Sequence, residues 1–471
     1  MSCVGLLIDR LDGHYQASLL SGVVQEARRR SVDLVCFVGG SLRAGDAPQD
    51  PRNLIYDLAK SRSDGGVLDG LLIAGGTLGN KLDEAPLASF YGTFFRSDAS
   101  RPIVSIGRVV AGYSSVVADN STMGEAVTHL VNDRGHKTFA FIPGPEKSPE
   151  AAERKAAFDR AVAELKNAGK DIDVVETKNG AFERILGREA IRDLQAHRIP
   201  FDAVVAANDE MALGAMDVLT ERRRHGKGRI PAVAVVGFDN IDDARAADPP
   251  LATIDQALES QGRAAVRKLT KLMSNEGRGR PRASKIVVKT EFIPRESCDC
   301  DSIDDNAAAE ALRVLREKIQ AEKRGRALSA ISESLITASS KDEVRKAVLA
   351  CGAWDADEAS NGLLSLGIPF LSLSLYSGQP HTDELSEGAP AQGAIAPDSA
   401  ELFMLHDCDN TESSYPASDE DGGEFFASCE LFPRDREPER RPFALTVQPL
   451  FFREEALGFV VLGLSAGRST A

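Results

Sequence analysis

An apolar run in the stretch VAVVGFDNIDDARAADPPLATIDQ (233–256) ends in Asp239, Asn240, Asp242 and Asp243. Acids grouped this closely could hold a metal, move protons, or accept hydrogen bonds from a ligand. Asp239, Asp242 and Asp243 take relative positions 1, 4 and 5, which is not the 1, 3, 5 spacing of a calcium loop. Cys298-Asp299-Cys300 offers two thiolates, but no second cysteine or histidine pair stands nearby at zinc spacing. The glycines of Gly75-Gly76-Thr77-Leu78-Gly79 are too short a match for a phosphate-binding loop. The chain has no G-x-S-x-G nucleophile motif, and its seven histidines are dispersed. No metal, no cofactor and no enzymatic activity are therefore expected. Ligand capture and plain solvation remain.

The same pattern recurs along the chain. Ile8 leads to Asp9 and Arg10, Ala74 to Gly75-Gly76-Thr77, Ala118 to Asp119-Asn120, and Ala207 to Asn208-Asp209. Asp and Asn also cap helices, which explains part of the set. Five polar ends in one series suggest a lined crevice.

Such residues must be positioned by the elements they terminate. Apolar, β-branched runs at 3–9, 34–39, 70–74, 103–107, 115–119, 138–143, 203–207 and 232–239 read as strands. Helical periodicity falls between them at 15–30, 122–132, 149–167, 184–197 and 211–224. The alternation predicts an α/β chain with parallel, doubly wound sheets covered on both faces. Sheets of this kind bind ligands beyond the carboxyl ends of their strands.

Composition narrows the functional class. The chain has 471 residues, 42% of them hydrophobic, enough for a sizeable core. Acids outnumber bases 71 to 56, a formal net charge of −15, so no direct nucleic-acid binding is expected from the overall field. No apolar run is long enough for a membrane span. The opening MSCVGLLIDRLDGHYQ reads as a strand, not a signal peptide. Seven scattered cysteines fit reduced thiols, so a cytoplasmic location is expected.

Three stretches together resemble the ligand-binding core of the lac-repressor family, of the type I periplasmic-binding-protein fold. They are VVADNSTMGEAVTHLVNDRGHKTFAFIPG (116–144), AANDEMALGAMDVL (206–219) and VVGFDNIDDARAADPPLATIDQ (235–256). The resemblance covers about residues 1–296 and implies two Rossmann-like lobes with a small molecule held between them. Lobe one would take 1–108 plus 253–282, and lobe two 109–240 plus 284–296. Crossovers would lie at Ile106-Gly107-Arg108, between Pro249 and Thr253, and near Ile286. The resemblance implies ligand contacts at Arg154, Asn208, Asp239 and Tyr15, with Asp209 the helix cap and Asp242 and Asp243 solvated turn residues. It also implies a sugar- or nucleoside-like ligand and a homodimer. The first strand begins at Cys3, so no helix-turn-helix headpiece is expected ahead of it.

After residue 296 the composition changes. Helical periodicity over 304–340 predicts a linker, and 341–471 reads as a smaller α+β domain. FLSLSLY (370–376) alternates like a strand, and the runs 444–452 and 457–464 predict a hairpin. The acidic, Gly- and Pro-rich segment 378–440 reads as a long or partly disordered loop. FALTVQPLFFREEALGFVVLGL (443–464) resembles the terminal hairpin of a GAF-like sensor domain. The expected function is a small-molecule sensor that signals through its C-terminal part, with a separate kinase, cyclase or DNA-binding partner. The alternatives are a transcriptional regulator and, last, an enzyme with its chemistry in the C-terminal domain.

Overall fold

The computed structural model describes residues 2–11, 14–43, 50–95, 101–146, 148–178, 180–224, 233–274, 283–298, 370–377, 396–407, 424–433, 444–452 and 455–464. The expected linker at 304–340 lies outside them.

Lobe one opens with β1 (Cys3–Ile8), α1 (His14–Arg29), β2 (Asp33–Val38), α2 (Leu54–Asp64), β3 (Gly70–Ile73), α3 (Gly75–Leu78), α4 (Glu84–Tyr91), β4 (Ile103–Ile106) and β5 (Ser114–Ala118). Five of the six β1 residues are buried, as expected of a strand with both faces covered. Leu6 and Ile8 pack on one face with Leu19 and Val23 of α1. Leu7 packs on the other with Phe37, Ile55 and Tyr91.

Lobe two contains α5 (Met123–Asn132), β6 (Thr138–Ile142), α6 (Pro149–Asn167), β7 (Asp173–Glu176), α7 (Arg184–Ala196), β8 (Ala203–Ala206), α8 (Asp209–Arg224), β9 (Ala234–Val236) and α9 (Asp242–Ala246). Its parallel sheet has the order β7-β6-β8-β9. The chain continues through β10 (Thr253–Asp255), α10 (Leu258–Met273), β11 (Lys285–Val288) and β12 (Glu291–Ile293).

The crossovers lie later in the chain than expected. β5 pairs with β4, so it belongs to lobe one, and the first crossing follows Ala118. β10 lies against lobe two through bridges Val236–Ala252 and Asp239–Asp255, so the second crossing follows Asp255. β11 pairs with β5, while β12 pairs with β10, which puts the third crossing after Val288. Apolar runs reveal that a strand is buried. They do not reveal which sheet supplies its hydrogen-bonding neighbours.

The C-terminal strands are β13 (Phe370–Tyr376), β14 (Ser399–Asp407), β15 (Glu424–Ala427), β16 (Ala444–Phe452) and β17 (Glu455–Leu464). The expected strand at 370–376 and the expected hairpin both form. Segment 378–440 contains β14 and β15, against the loop reading. β14 carries the alternating, core-facing residues Ala400 and Leu402 that the acidic composition around it masks. These strands extend the lobe-one sheet, giving the order β11-β5-β4-β3-β1-β2-β16-β17-β13-β14-β15. β16 runs parallel to β2, with Ala444 to Val447 opposite Leu34 to Phe37. Phe370, Val447 and Phe459 share the apolar cluster that holds Phe37 and Tyr56.

Candidate functional site

The polar strand ends meet between the lobes. From lobe two, α6 starts at the cap Ser148, whose Oγ accepts from Ala151 N at 3.2 Å, and proline follows directly. This fixes the first turns of α6 and sets Arg154 inward, 2% exposed. Its Nε donates to Asn120 Oδ1 at 3.1 Å and its Nη1 to the Ala207 carbonyl at 2.7 Å. The guanidinium carbon lies 3.7 Å from the centre of the Phe238 ring, a stacked cation–π contact.

Asp239 follows β9 and faces Arg154 Nη1 at 3.5 Å. Gln256 Nε2 donates to the same Asp239 Oδ1. Among the described residues the hydrogen bonds to its carboxylate all go to Oδ1. Burial holds the Asp239 carboxyl above the ordinary carboxylate range, against the pull of Arg154, Gln256 and His14. Its φ is +131°, a conformation that L residues rarely adopt. The backbone is pinned there, with Asp239 N donating to Ile254 O at 2.9 Å and Asn240 N to Thr253 Oγ1 at 3.2 Å.

Asn208 ends β8 as expected, but its oxygen is committed. Oδ1 accepts from Met211 N at 3.0 Å, so Asn208 caps α8, and Nδ2 donates to Phe182 O at 3.2 Å. The expected cap, Asp209, does other work. It is fully buried and accepts from Thr253 Oγ1 at 2.5 Å and Ile241 N at 3.0 Å, tying the loop after β9 to β10. Burial, and Asp239 nearby, push its carboxyl up.

Lobe one contributes Tyr15 from the first turn of α1. Its hydroxyl lies 2.7 Å from where a side-chain carbon on Gly107 would stand. Burial, then Glu150 and Asp239, raise its pKa well above the ordinary value, which places it in the same electrostatic neighbourhood as the lobe-two acids. Asp9 follows β1 and accepts from Gln16 Nε2 at 3.0 Å and Thr77 Oγ1 at 2.7 Å.

Asp242 and Asp243 open α9 and do not stand in a turn, but their side chains are solvated as expected, Asp243 the more so. Asp242 pairs with His14 Nδ1 across the lobes at 3.5 Å. Among the described residues no group of three or more His, Cys, Asp or Glu could hold a metal. Cys298 is buried, with Sγ 3.1 Å from Arg295 O.

Sequence reading brought Arg154, Asp239 and Tyr15 to one place, with Asn208 at its edge. It missed Glu150 and Gln256. Glu150 stands four residues before Arg154, a spacing that puts both on one helix face and could have marked it. Gln256 carries no comparable signal, because it reaches Asp239 only through the path of β10.

Comparison with known proteins agrees with this architecture. Residues 127–298 match the family described as periplasmic binding protein-like domain. The HTH-type transcriptional repressor PurR of Haemophilus influenzae is 29% identical over 298 residues, covering 62% of this chain and 80% of that one. The HTH-type transcriptional regulator CelR of Thermobifida fusca is 33% identical over 217 residues, 46% of this chain and 58% of that one. A solved lac repressor bound to ONPG in its repressed state superposes with TM-score 0.50 at 21% identity, covering 63% of this chain and 82% of that one, a likeness of fold. These relatives are named as regulators. Their HTH-type names stand against the expectation of no nucleic-acid contact. No described helix is long and apolar enough to cross a membrane.

Proposed function

Starting from a lac-repressor-type, periplasmic-binding-protein-like ligand-binding core, we propose that this chain captures a small, hydroxylated molecule of sugar or nucleoside type between its lobes and regulates transcription in response. The observation that carries the reading is the convergence of Arg154, Asp239 and Tyr15 from opposite lobes. Arg154 supplies a held, always-charged donor fork, Asp239 an acceptor, and Tyr15 an aromatic face with a hydroxyl. A ligand touching both lobes favours the closed arrangement by its differential affinity. Asn208 then acts mainly as the brace of α8 and contributes at most its second amide hydrogen. The names of the relatives as transcriptional repressor and regulator support transcription as the output, and a homodimer as the working form is part of the same proposal. A second reading, signalling through a GAF-like C-terminal module, draws on the continuity of β2 with β16.

A thermal-shift screen of sugars and nucleosides is expected to yield a stabilising compound. Arg154→Ala and Asp239→Ala should each abolish the shift while the unliganded protein still melts cooperatively. A variant that keeps the full shift removes its residue from the site. A gel shift with genomic DNA, repeated at rising salt, separates direct DNA binding from action through a partner.

A further inference from the structure

We propose that Glu150 is a ligand-facing residue that sets the charge class of the effector, so that the cleft takes uncharged, hydroxyl- or amine-bearing molecules and rejects anionic ones. The proposal rests on the cleft being the binding site. Glu150 lies in the first turn of α6, in lobe two. Its Oε1 is 3.2 Å from where a side-chain carbon on Gly76 would stand, and 3.4 Å from the equivalent point on Gly107. Both glycines belong to lobe one. The carboxyl therefore spans the gap to bare backbone of the opposite lobe, beside the Tyr15 hydroxyl that meets the same point on Gly107.

The charges around this gap are unbalanced. Asp9 comes from lobe one, Glu150 and Asp239 from lobe two. Two guanidiniums oppose them, and both spend donors on the protein. Arg154 donates to Asn120 and the Ala207 carbonyl, and Arg108 to the carbonyls of Gly79 and Leu82. Recognition of a phosphate or carboxylate favours a whole charged fork presented to the ligand; Arg108 spends both terminal nitrogens on carbonyls, and Arg154 keeps only part of its fork for a ligand. Acceptors, by contrast, are plentiful, which suits a ligand rich in donors.

The groups facing Glu150 are Tyr15 of α1, Arg108 beyond β4, Glu153 and Arg154 of its own helix, and Asp239 beyond β9. Burial pushes the Glu150 carboxyl up to about 7, with Asp239 and Glu153 adding to the rise and Arg154 and Arg108 opposing it. A further negative charge in this space is repelled. A hydroxyl or amine that donates to Glu150 relieves its desolvation.

The test uses matched neutral and anionic probes on the full chain: glucose against glucuronate, and adenosine against its 5′-carboxylate. These carboxylates stay ionised at neutral pH and well below it. Affinities by calorimetry at about pH 8 should favour the neutral member at least tenfold or so. That preference should shrink at about pH 6, where Glu150 is mostly protonated. Glu150→Gln should shrink it at the higher pH and weaken its pH dependence, leaving the part that belongs to Asp239. Melting of the unliganded variant checks its fold, and the wild-type pH series stands without the variant. Anions that bind as tightly as their neutral partners overturn the proposal, as does a charge preference unchanged in the variant. Failure of every probe to bind overturns the sugar or nucleoside reading itself, and this proposal with it.

Discussion

Asp239 and Glu150 occupy costly positions between the lobes, one strained in its backbone and the other desolvated. A non-glycine residue at φ +131° is strained by on the order of 1–3 kcal/mol. Two backbone hydrogen bonds from adjacent residues hold the conformation, so the carboxylate is placed before any ligand arrives. The raised acids also couple stability to pH. Glu150, Asp209 and Asp239 all ionise less readily in the folded chain than in the unfolded one. Each contribution is full below the unfolded pKa and is lost as pH rises through the folded value, about 7 for Glu150. Glu26 works in the opposite sense. Arg29 and Arg30 lower its carboxyl to about 2, so its contribution is lost only as the pH falls that far. The melting temperature of the unliganded protein is therefore expected to decline from about pH 5 to about pH 8, and Glu150→Gln to flatten that decline. An identical slope in the variant would remove Glu150 as its source.

Among the elements, each lobe contains one helix pair in contact at glycines. A side-chain carbon on Gly22 of α1 would stand 2.1 Å from the Glu259 carbonyl oxygen of α10, and one on Gly262 would stand 2.5 Å from the Leu19 oxygen. In lobe two, Gly187 of α7 and Gly214 of α8 meet the backbone of the opposite helix at 2.1 and 2.0 Å. Backbone, unlike a flexible side chain, has nowhere to retreat. Gly262→Ala and Gly214→Ala should each cost about 1–3 kcal/mol in denaturant unfolding. The first should also loosen α1, which holds Tyr15 at the cleft. A loss under half a kilocalorie or so would mean that the helices separate easily. His14 Nδ1 lies 3.5 Å from Asp242 Oδ2 across the cleft, so a side-chain contact joins α1 to α9 in addition to the three crossovers.

At the scale of the whole molecule, the C-terminal strands continue the sheet of lobe one. Parallel pairing of β16 covers the edge that β2 would otherwise present. Val447 is fully buried opposite Phe37, where a charge has no solvent or partner. Val447→Asp should detach these strands, and hydrogen exchange should then show β2 amides losing protection while β6 and β8 keep theirs. Retained protection of β2 would mean that its edge is covered by something other than β16.

The sequence by itself determined what is local. Apolar runs marked most of the strands of the first 240 residues, their polar ends pointed to the cleft, and the alternation in FLSLSLY and the last two runs marked three C-terminal strands. Of the four expected contacts, Arg154, Asp239 and Tyr15 lie together, while Asn208 is committed to capping α8. Tertiary structure alone decided where the chain crosses between lobes, that β14 and β15 arise within an acidic segment, that Asn208 and not Asp209 caps α8, and that Glu150 reaches the glycines of the opposite lobe. The physical reason is the same in each case. Burial is written in side-chain pattern, residue by residue. Strand neighbours are joined by backbone groups that every non-proline residue carries alike, so their pairing, and every contact that depends on it, is settled only when the chain packs.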